Sequence, residues 1–555
     1  MGSLSTLTTS GTAPLEIDPR FLSTEALGDQ IGTDALPIGR AGALTVVAAP
    51  ERGLPIGTVR ALEAKHGPVA LLPTTRQARD TAIASVLGPE LAGLAERRTA
   101  AQESCRDWSG LRTASIVLTL LALVLAAALV WPAGLILFLT SWAVVTLLAV
   151  TGLRTAAAIV EHRAKGRKPY PIRPLKDHAL PVISVLVPLF REREIAERLI
   201  ARLSQLDYPK AQLDLILVLE DDDALTHAAI SDADIPNWMR VLPVPRGTIR
   251  TKPRALNYAL DFARGDIVGV YDAEDWPAPD QLRKVAAHFD QAAPDVACLQ
   301  GVLDFYNARQ NWLTRCFTID YATWFGLILP GLARLRMVIP LGGTTLFFRA
   351  DVLRALGRWD AHNVTEDADL GLRLARRGFR TEFLNSVTEE EATSSIPAWI
   401  KQRSRWIKGY AVTWAVHMRS PLRLWGELGT LKFLGVQILF FGTLSQFLLA
   451  PLLWSFWLVV FGYPHPFADV ASPGLILAVT VLFFAAEILT IGINALAVSS
   501  AKHRRLIFWV PLMHLYFPLA AIASWKGFSE LITRPFYWDK TRHGFSSTTL
   551  QAHKT

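Results

Sequence analysis

Four stretches of this 555-residue chain place acids and bases where chemistry needs them. Residues 214–223, DLILVLEDDD, run an apolar strand pattern straight into four carboxylates, Glu220 to Asp223. Residues 265–277, GDIVGVYDAEDWP, repeat the pattern and end on Asp272, Glu274 and Asp275. Acids at strand ends of an α/β sheet lie at the crevice where ligands bind. Hard oxygen donors clustered there suit Mg²⁺ or Mn²⁺ holding a diphosphate. Between them, 251-TKPRALNYAL sets Lys252 and Arg254 at a helix start, positions suited to phosphate oxygens. One acidic strand end alone reads as a solvated turn, whereas two with a basic helix start describe a nucleotide-diphosphate site. In the fourth stretch, 363-NVTEDADLGLRLARRG, Thr365 is placed to cap a helix whose first turn holds Glu366, Asp367 and Asp369. A capping box explains part of this. An acid aimed at a carboxylate-lined cleft should have a raised pKa, toward general-base duty.

The elements that position these groups are legible as pattern. Residues 182-VISVLVPLF form a β-branched apolar run expected as a buried parallel strand, with EIAERLIARLSQL as the helix after it. Residues 37–97 alternate short apolar runs with helix-like stretches, which predicts a small α/β domain. From Thr113 to Leu153 no residue is charged and Pro132 interrupts the run, so two membrane spans joined by a WPAG turn are expected. Further apolar blocks cover 433–468, 474–498 and 506–524. The first is expected as two short spans broken near Pro451, giving about six in all with 501-AKHRR outside; the alternative is one long tilted helix with an interfacial lead-in, which puts 501-AKHRR inside and the C-terminal tail out. The basic segment 154-RTAAAIVEHRAKGRK follows the second span and predicts that the large domain is cytoplasmic. Glu487, inside a span, is expected to face a polar path or to pair with His514.

Composition excludes several classes. Hydrophobic residues make up 51% and tryptophans number 17, which places part of the chain in lipid. The net charge of +8 sits largely beside apolar segments, as in 501-AKHRR, which suits anionic lipid rather than nucleic acid. Three scattered cysteines, Cys105, Cys298 and Cys316, build neither a disulfide framework nor a zinc site. The N-terminus lacks a basic start followed by an apolar core, so no secretory signal is expected. Gly2 formally fits a myristoylation pattern.

Before the second apolar region lies 399-WIKQRSRWIKGY. Trp399, Trp406, Ile407, Tyr410 and Trp414 recur at helical steps and predict an aromatic stripe on a helix at the membrane surface. Lys401, Arg403 and Lys408 are expected to face lipid phosphates.

The ordered set PLFRE (188–192), LEDDD (219–223), YDAED (271–275), LGGTTLFFR (341–349), TED (365–367) and Gln402-x-x-Arg405-Trp406 resembles the membrane-embedded family 2 glycosyltransferases. These include cellulose, chitin and hyaluronan synthases and bacterial exopolysaccharide synthases. The resemblance covers residues 180–415 closely and implies an α/β GT-A-type domain joined to an α-helical transmembrane bundle. It implies that Asp222 contacts uridine, with Glu220 or Asp223 as alternatives, and that Glu192 and Lys252 belong to the donor site. Asp272 and Glu274 match a metal-binding Asp-X-Asp in which glutamate takes the second place. Asp275 follows, so which of the two reaches the Mg²⁺ or Mn²⁺ stays open. Asp367, with Thr365 and Glu366 beside it, is implied as the base that deprotonates the acceptor. Gln402, Arg405 and Trp406 are implied at the donor diphosphate and acceptor sugar, with Gly343 and Thr344 at the acceptor. The tail 534-RPFYWDKTRHG resembles the terminus of these synthases, comparable to a loop that closes over the donor.

The resulting layout is a disordered tail (1–36), a small α/β domain (37–110) and two spans (113–153). A cytoplasmic GT-A domain (180–395), interfacial helices (396–428), a bundle (430–524) and a cytoplasmic tail (525–555) follow. The N-terminal domain faintly resembles that of type II secretion ATPases, which implies a cyclic dinucleotide or a partner protein. The function implied is inverting, processive polymerisation of a UDP-sugar into a β-linked polysaccharide at the bacterial inner membrane. The growing chain would be the acceptor, and membrane lipid would surround the bundle. Alternatives are single transfer to a lipid-linked acceptor, or an inactive membrane protein that senses a nucleotide.

Overall fold

The computed structural model describes residues 15–166, 172–192 and 196–537. Among them are eleven strands. They are β1 (Leu36–Ala41), β2 (Leu44–Ala49), β3 (Val69–Pro73), β4 (Ile183–Leu189), β5 (Leu213–Glu220), β6 (Met239–Val244), β7 (Ile267–Val270), β8 (Trp276–Pro277), β9 (Val296–Phe305), β10 (Leu346–Arg349) and β11 (Arg380–Glu390). The chain divides into two compact units. One holds residues up to 100 with 173–291 and 344–362, and the other holds 101–172, 292–343 and 363 onward.

In the first unit, β1 and β2 form a hairpin and β3 adds parallel to β2. Gly42, with φ of +62°, makes the turn between β1 and β2, a conformation glycine adopts without strain. Ala35, Val47, Ala49, Val69 and Leu71 fill the core beneath this sheet. Residues 15–36 were expected as a disordered tail. The described part instead carries the helix Leu27–Gly32, with Ile17, Leu22 and Leu27 buried, because these apolar side chains find a core to join.

The larger sheet of this unit runs β6-β5-β4-β7-β10, parallel except for β10, which pairs antiparallel with β7. Strand β5 is buried along its whole length, as the continuous apolar run predicts. The order places β4 centrally, with β5 and β6 on one side and β7 on the other. The crevice of an open α/β sheet opens at such a switch point, beyond the carboxyl ends of the strands. Glu192 lies three residues past the end of β4 and Asp272 two residues past the end of β7.

In the second unit β9 and β11 pair in parallel. The helix Ile396–His417 follows, started by Ser395, whose hydroxyl accepts from the Ala398 N–H. Among the described residues five helices are long and apolar enough to cross a membrane: Gly110–Val130, Pro132–Lys165, Trp312–Arg334, Pro421–Val460 and Pro473–Ala497. The bent pair Arg504–Tyr516 and Pro518–Thr533 makes a sixth if taken as one. The count agrees with about six, but its makeup differs. Pro421–Val460 is one long helical run, the alternative reading of this block, rather than the favoured two spans broken near Pro451, and it kinks at Gly429, where φ is +73°. Ala143, Leu147, Leu453, Phe456, Val479, Phe483 and Ala486 pack the bundle core. Glu487 does pair with His514. The Trp457 Nε1 donates to His514 Nε2 at 2.6 Å, so His514 Nδ1 carries the proton and donates to Glu487 at 2.9 Å. Gly2 and residues 538–555 of the tail lie outside the described residues.

Candidate active site

The loop after β7 is built around an inward carboxylate. Asp275 is fully buried, and its Oδ2 accepts from the Asp272 N–H at 2.9 Å and from the Thr344 hydroxyl. Burial, with Asp272 and Glu274 alongside, pushes its carboxyl well above the usual range. Asp275 therefore shapes the loop from within, while Asp272 and Glu274 remain half-buried at its rim. Arg202 fixes the same loop by donating to the Glu274 carbonyl at 2.7 Å. Lys252 forms an ion pair with Asp272. The hydroxyl of Thr344, expected at the acceptor, is turned into this loop, where it also accepts from the Asp272 N–H at 3.1 Å.

The acids after β5 divide by burial. Asp223 caps the helix Ala224–Ser231 and accepts from the Thr226 hydroxyl at 2.6 Å, which gives it a structural task. Glu220 is buried against Arg254 at 3.2 Å, and burial, outweighing the guanidinium, pushes its carboxyl up to about 7. Asp222 alone of the three is half-open: Arg250 pairs with it and Arg246 approaches to 3.3 Å. Its Oδ1 accepts no hydrogen bond among the described residues. Glu192 lies half-buried nearby, its N–H donating to the Thr226 hydroxyl at 2.9 Å. Arg254, expected at phosphate oxygens, is wholly buried between Glu220 and Glu96, so it faces no ligand. The sequence shows the charge but not the carboxylates that enclose it.

The second unit holds the remaining site residues. Thr365 precedes the helix Glu366–Arg376 but makes no side-chain cap; its N–H donates to Asn363 Oδ1 at 3.0 Å, and its side chain packs directly on Gly409, where a Cβ would overlap it. Asn363 is tied in turn to Thr413 on the helix Ile396–His417 at 3.0 Å. Glu366 is buried, Asp367 half-buried. Asp367 Oδ1 accepts from the Ala368 N–H at 2.8 Å, which turns the carboxylate toward its own helix start. Asp369 is a structural acid, bound to Arg373 at 2.7 Å and His417 at 2.9 Å. Burial opposes its charge, yet Arg373 and His417 hold its carboxyl below the usual range.

On the helix Ile396–His417, Gln402 accepts from the Thr393 hydroxyl at 3.3 Å. Arg405 is half-buried, and Trp406 lies beside Phe317 and Tyr321, ring centres 6.3 and 6.4 Å away. Lys401 is exposed as expected, but Arg403 and Lys408 do not face lipid phosphates. Arg403 pairs with Asp320 and lies over the Trp406 ring at 4.7 Å. Lys408 is buried on Glu530 at 3.1 Å and on the Tyr537 carbonyl at 2.8 Å. Both turn inward because an acid on another helix meets them. Asp320 and Tyr516, which clasp Arg403, carried no sequence signal beyond lying on apolar helices. Gly343 lies in the turn after Gly342, whose N–H donates to Gln300 Oε1 at 2.8 Å.

Hard oxygen donors at Asp272 and Glu274 fit a divalent ion of the Mg²⁺ type, which takes one or two carboxylates and completes its shell with water and phosphate. Among the described residues no three histidine, cysteine or acidic side chains form a ready-made metal cluster.

Residues 181–409 match the family described as "Glycosyltransferase like family 2". A beta-monoglucosyldiacylglycerol synthase of Trichormus variabilis is 29% identical over 293 residues, covering 51% of this chain and 60% of that protein. The probable glycosyltransferase YdaM of Bacillus subtilis is 26% identical over 240 residues, covering 41% and 55%. The matched region thus spans three fifths or less of these relatives' length. Among solved structures, the mannosyltransferase PcManGT of Pyrobaculum calidifontis, in complex with GDP-Man and Mn²⁺, superimposes with a TM-score of 0.45 at 20% identity, over 70% of this chain and 99% of that one. S. aureus TarS 1–349 gives 0.30 at 15%, over 62% and 91%.

Proposed function

We propose that this chain, whose residues 181–409 match family 2 glycosyltransferases, is an enzyme of GT-A type that transfers a sugar from a UDP-sugar to a hydroxyl acceptor at the membrane face. The observation that carries the reading is the loop after β7. Asp272, Glu274 and Lys252 stand together there, beyond the strand ends, in the same unit as the half-open Asp222. In this reading Asp222 holds the nucleoside, Asp272 and Glu274 hold a divalent ion, and Lys252 balances charge until phosphate arrives. A bound Mg²⁺ or Mn²⁺ would supply positive charge to the departing diphosphate. The acceptor oxygen attacks the anomeric carbon in line as the bond from that carbon to the phosphate oxygen breaks, inverting the centre. The bonding pair leaves with the nucleoside diphosphate, where Arg405 can stabilise it. The acceptor proton passes to Asp367. Trp406 offers a flat face on which an acceptor sugar stacks.

For the acceptor we take the growing polysaccharide, because Gln402, Arg405 and Trp406 sit on a helix beside an apolar bundle with an aromatic surface of Phe317, Tyr321 and Trp406. A second reading, single transfer to a membrane lipid, is favoured by the names of the cyanobacterial relatives. Full-length protein in nanodiscs, given a panel of radiolabelled UDP-sugars with Mn²⁺, separates them. Polymer that withstands washing and yields to a linkage-specific hydrolase supports the first reading, and a one-sugar lipid product supports the second. Asp367→Asn should lower turnover by about 10²–10⁴-fold while UDP binding persists. UDP binding without turnover on any donor would leave a nucleotide sensor instead.

A further inference from the structure

One contact ties the N-terminal domain to the nucleoside end of the donor site. The long helix Arg76–Ala95 ends at Glu96, outside the matched domain. The Glu96 carboxylate accepts from the Thr248 N–H at 2.7 Å, the Thr248 hydroxyl at 2.5 Å, the Ile249 N–H at 3.4 Å and Arg254 Nε at 3.2 Å. Burial alone would raise its pKa; the donors from Thr248 and Ile249, with Arg254, hold it below the usual range. Arg254 also donates to the Pro245 carbonyl and to Glu220. The segment 245–251 is thus held at both ends of its bend by one acid and one buried guanidinium. Gly247 is required within it, since a Cβ there would overlap both Glu96 and Arg254. The same segment carries Arg246 and Arg250, the two cations on Asp222.

We propose that Glu96 is a positioning residue for donor binding, a clamp reaching from the N-terminal domain to fix the 245–251 loop and thereby the Arg250–Asp222 pair that meets the nucleoside. The proposal deepens the donor reading given above and rests on it. The physical case is the asymmetry of buried hydrogen bonds. Two backbone N–H groups of an irregular loop have Glu96 as their acceptor, and removing its charge leaves them weakly satisfied. The loop then samples other conformations, and donor affinity falls by the fraction of molecules no longer competent. The N–H groups lie on the loop, not on the reacting centre, so the loss should appear in donor affinity rather than in turnover.

Glu96→Gln keeps the shape and removes the charge. We expect the KM for the UDP-sugar and the Kd for UDP to rise about 10-fold or more, with kcat changed by less than about 3-fold. Amide hydrogen exchange over 245–251 should quicken while exchange in the loop 271–275 stays as in the parent. Thr248→Val should reproduce a smaller part of both effects. Gln77→Ala is the control, because Gln77 pairs with the Val241 backbone at 2.8 and 2.9 Å and joins the same two domains without touching the loop. It should leave KM and UDP binding in place. Unchanged exchange over 245–251 in Glu96→Gln would overturn the clamp, as would faster exchange with unaltered UDP binding. An equal loss in Gln77→Ala would also overturn it, showing that general docking rather than Glu96 is responsible. Failure of the parent protein to bind UDP would sink the donor reading itself and the clamp with it, whereas equal UDP binding by parent and Glu96→Gln sinks only the clamp.

Discussion

Two residues separate Glu220 from Asp222, and burial gives them different work. Glu220 is enclosed with Arg254, while Arg250 and Asp222 act on it from the rim. Its folded pKa of about 7 lies above the ordinary 4.5, so the folded protein holds this proton where the unfolded chain has lost it. The sign follows directly. The contribution is fully present below pH 4.5 and is lost as pH rises through about 7, with a spread worth about 3 kcal/mol. Purified parent protein should therefore show an apparent Tm that falls between about pH 5 and pH 8. Glu220→Gln, which cannot ionise, should show a flatter profile over that window. Identical profiles for the two proteins would remove Glu220 as a cause. Asp80, lifted to about 6 by burial despite Arg240, acts in the same direction in both proteins and so cancels from the comparison.

Helix packing is set by charges that no local pattern reveals. The helices Ile396–His417 and Pro518–Thr533 are joined by Lys408, whose ammonium meets Glu530 and the carbonyls of Arg534 and Tyr537. Gly527 permits the approach, since a Cβ there would press on the Ser404 carbonyl. Breaking one side of a buried pair costs about 3–5 kcal/mol, while replacing both partners with apolar groups is near neutral. Glu530→Met should accordingly lower the Tm sharply, and Lys408→Met/Glu530→Met should recover most of the loss. Additive damage in the double variant would show that the two side chains do not act as a pair. The same helices show what was legible beforehand. The stripe of Trp399, Trp406 and Ile407 is local and periodicity shows it, whereas Gln402-x-x-Arg405-Trp406 is legible only through the resemblance to the family 2 glycosyltransferases. The burial of Lys408 depends on Glu530, 122 residues away, and that of Arg254 on Glu96, 158 residues away. The strands and their acidic ends were legible because apolar runs and turn chemistry lie within a few residues, whereas the order of the strands in the sheet was not. Asp275 turned inward because the Thr344 hydroxyl, 69 residues on, meets it, which spacing within YDAED does not show.

At the scale of the molecule, other long-range pairs bear on how the chain would thread a membrane. The basic loop 501-AKHRR follows the span Pro473–Ala497, and Lys502 meets Asp304 on β9 and Glu389 on β11, both at 2.6 Å. His503 meets Asp304 at 2.8 Å. This loop therefore lies on the side of the β9–β11 pair, where the positive-inside rule places lysine and arginine. The end of the helix Pro518–Thr533 lies against Lys408, on the helix that follows β11, so it too belongs to that side. A segment that leaves and returns to one side has not crossed. The bent pair Arg504–Tyr516 and Pro518–Thr533 should then be re-entrant, with its two halves meeting at 44°. Trp312–Arg334 is two thirds buried within the protein, so Gly110–Val130, Pro132–Lys165, Pro421–Val460 and Pro473–Ala497 should be the spans, four of the six candidates and an even number that returns the chain to its starting side. Cysteine labelling checks this cleanly, because the three native cysteines are buried. In intact cells an impermeant maleimide should label Asp469→Cys, in the turn before Pro473, and should spare Ser500→Cys and Ser529→Cys until the membrane is opened. Labelling of Ser529→Cys from outside would show that the bent pair crosses after all, and labelling of Ser500→Cys would reverse the order of the last spans.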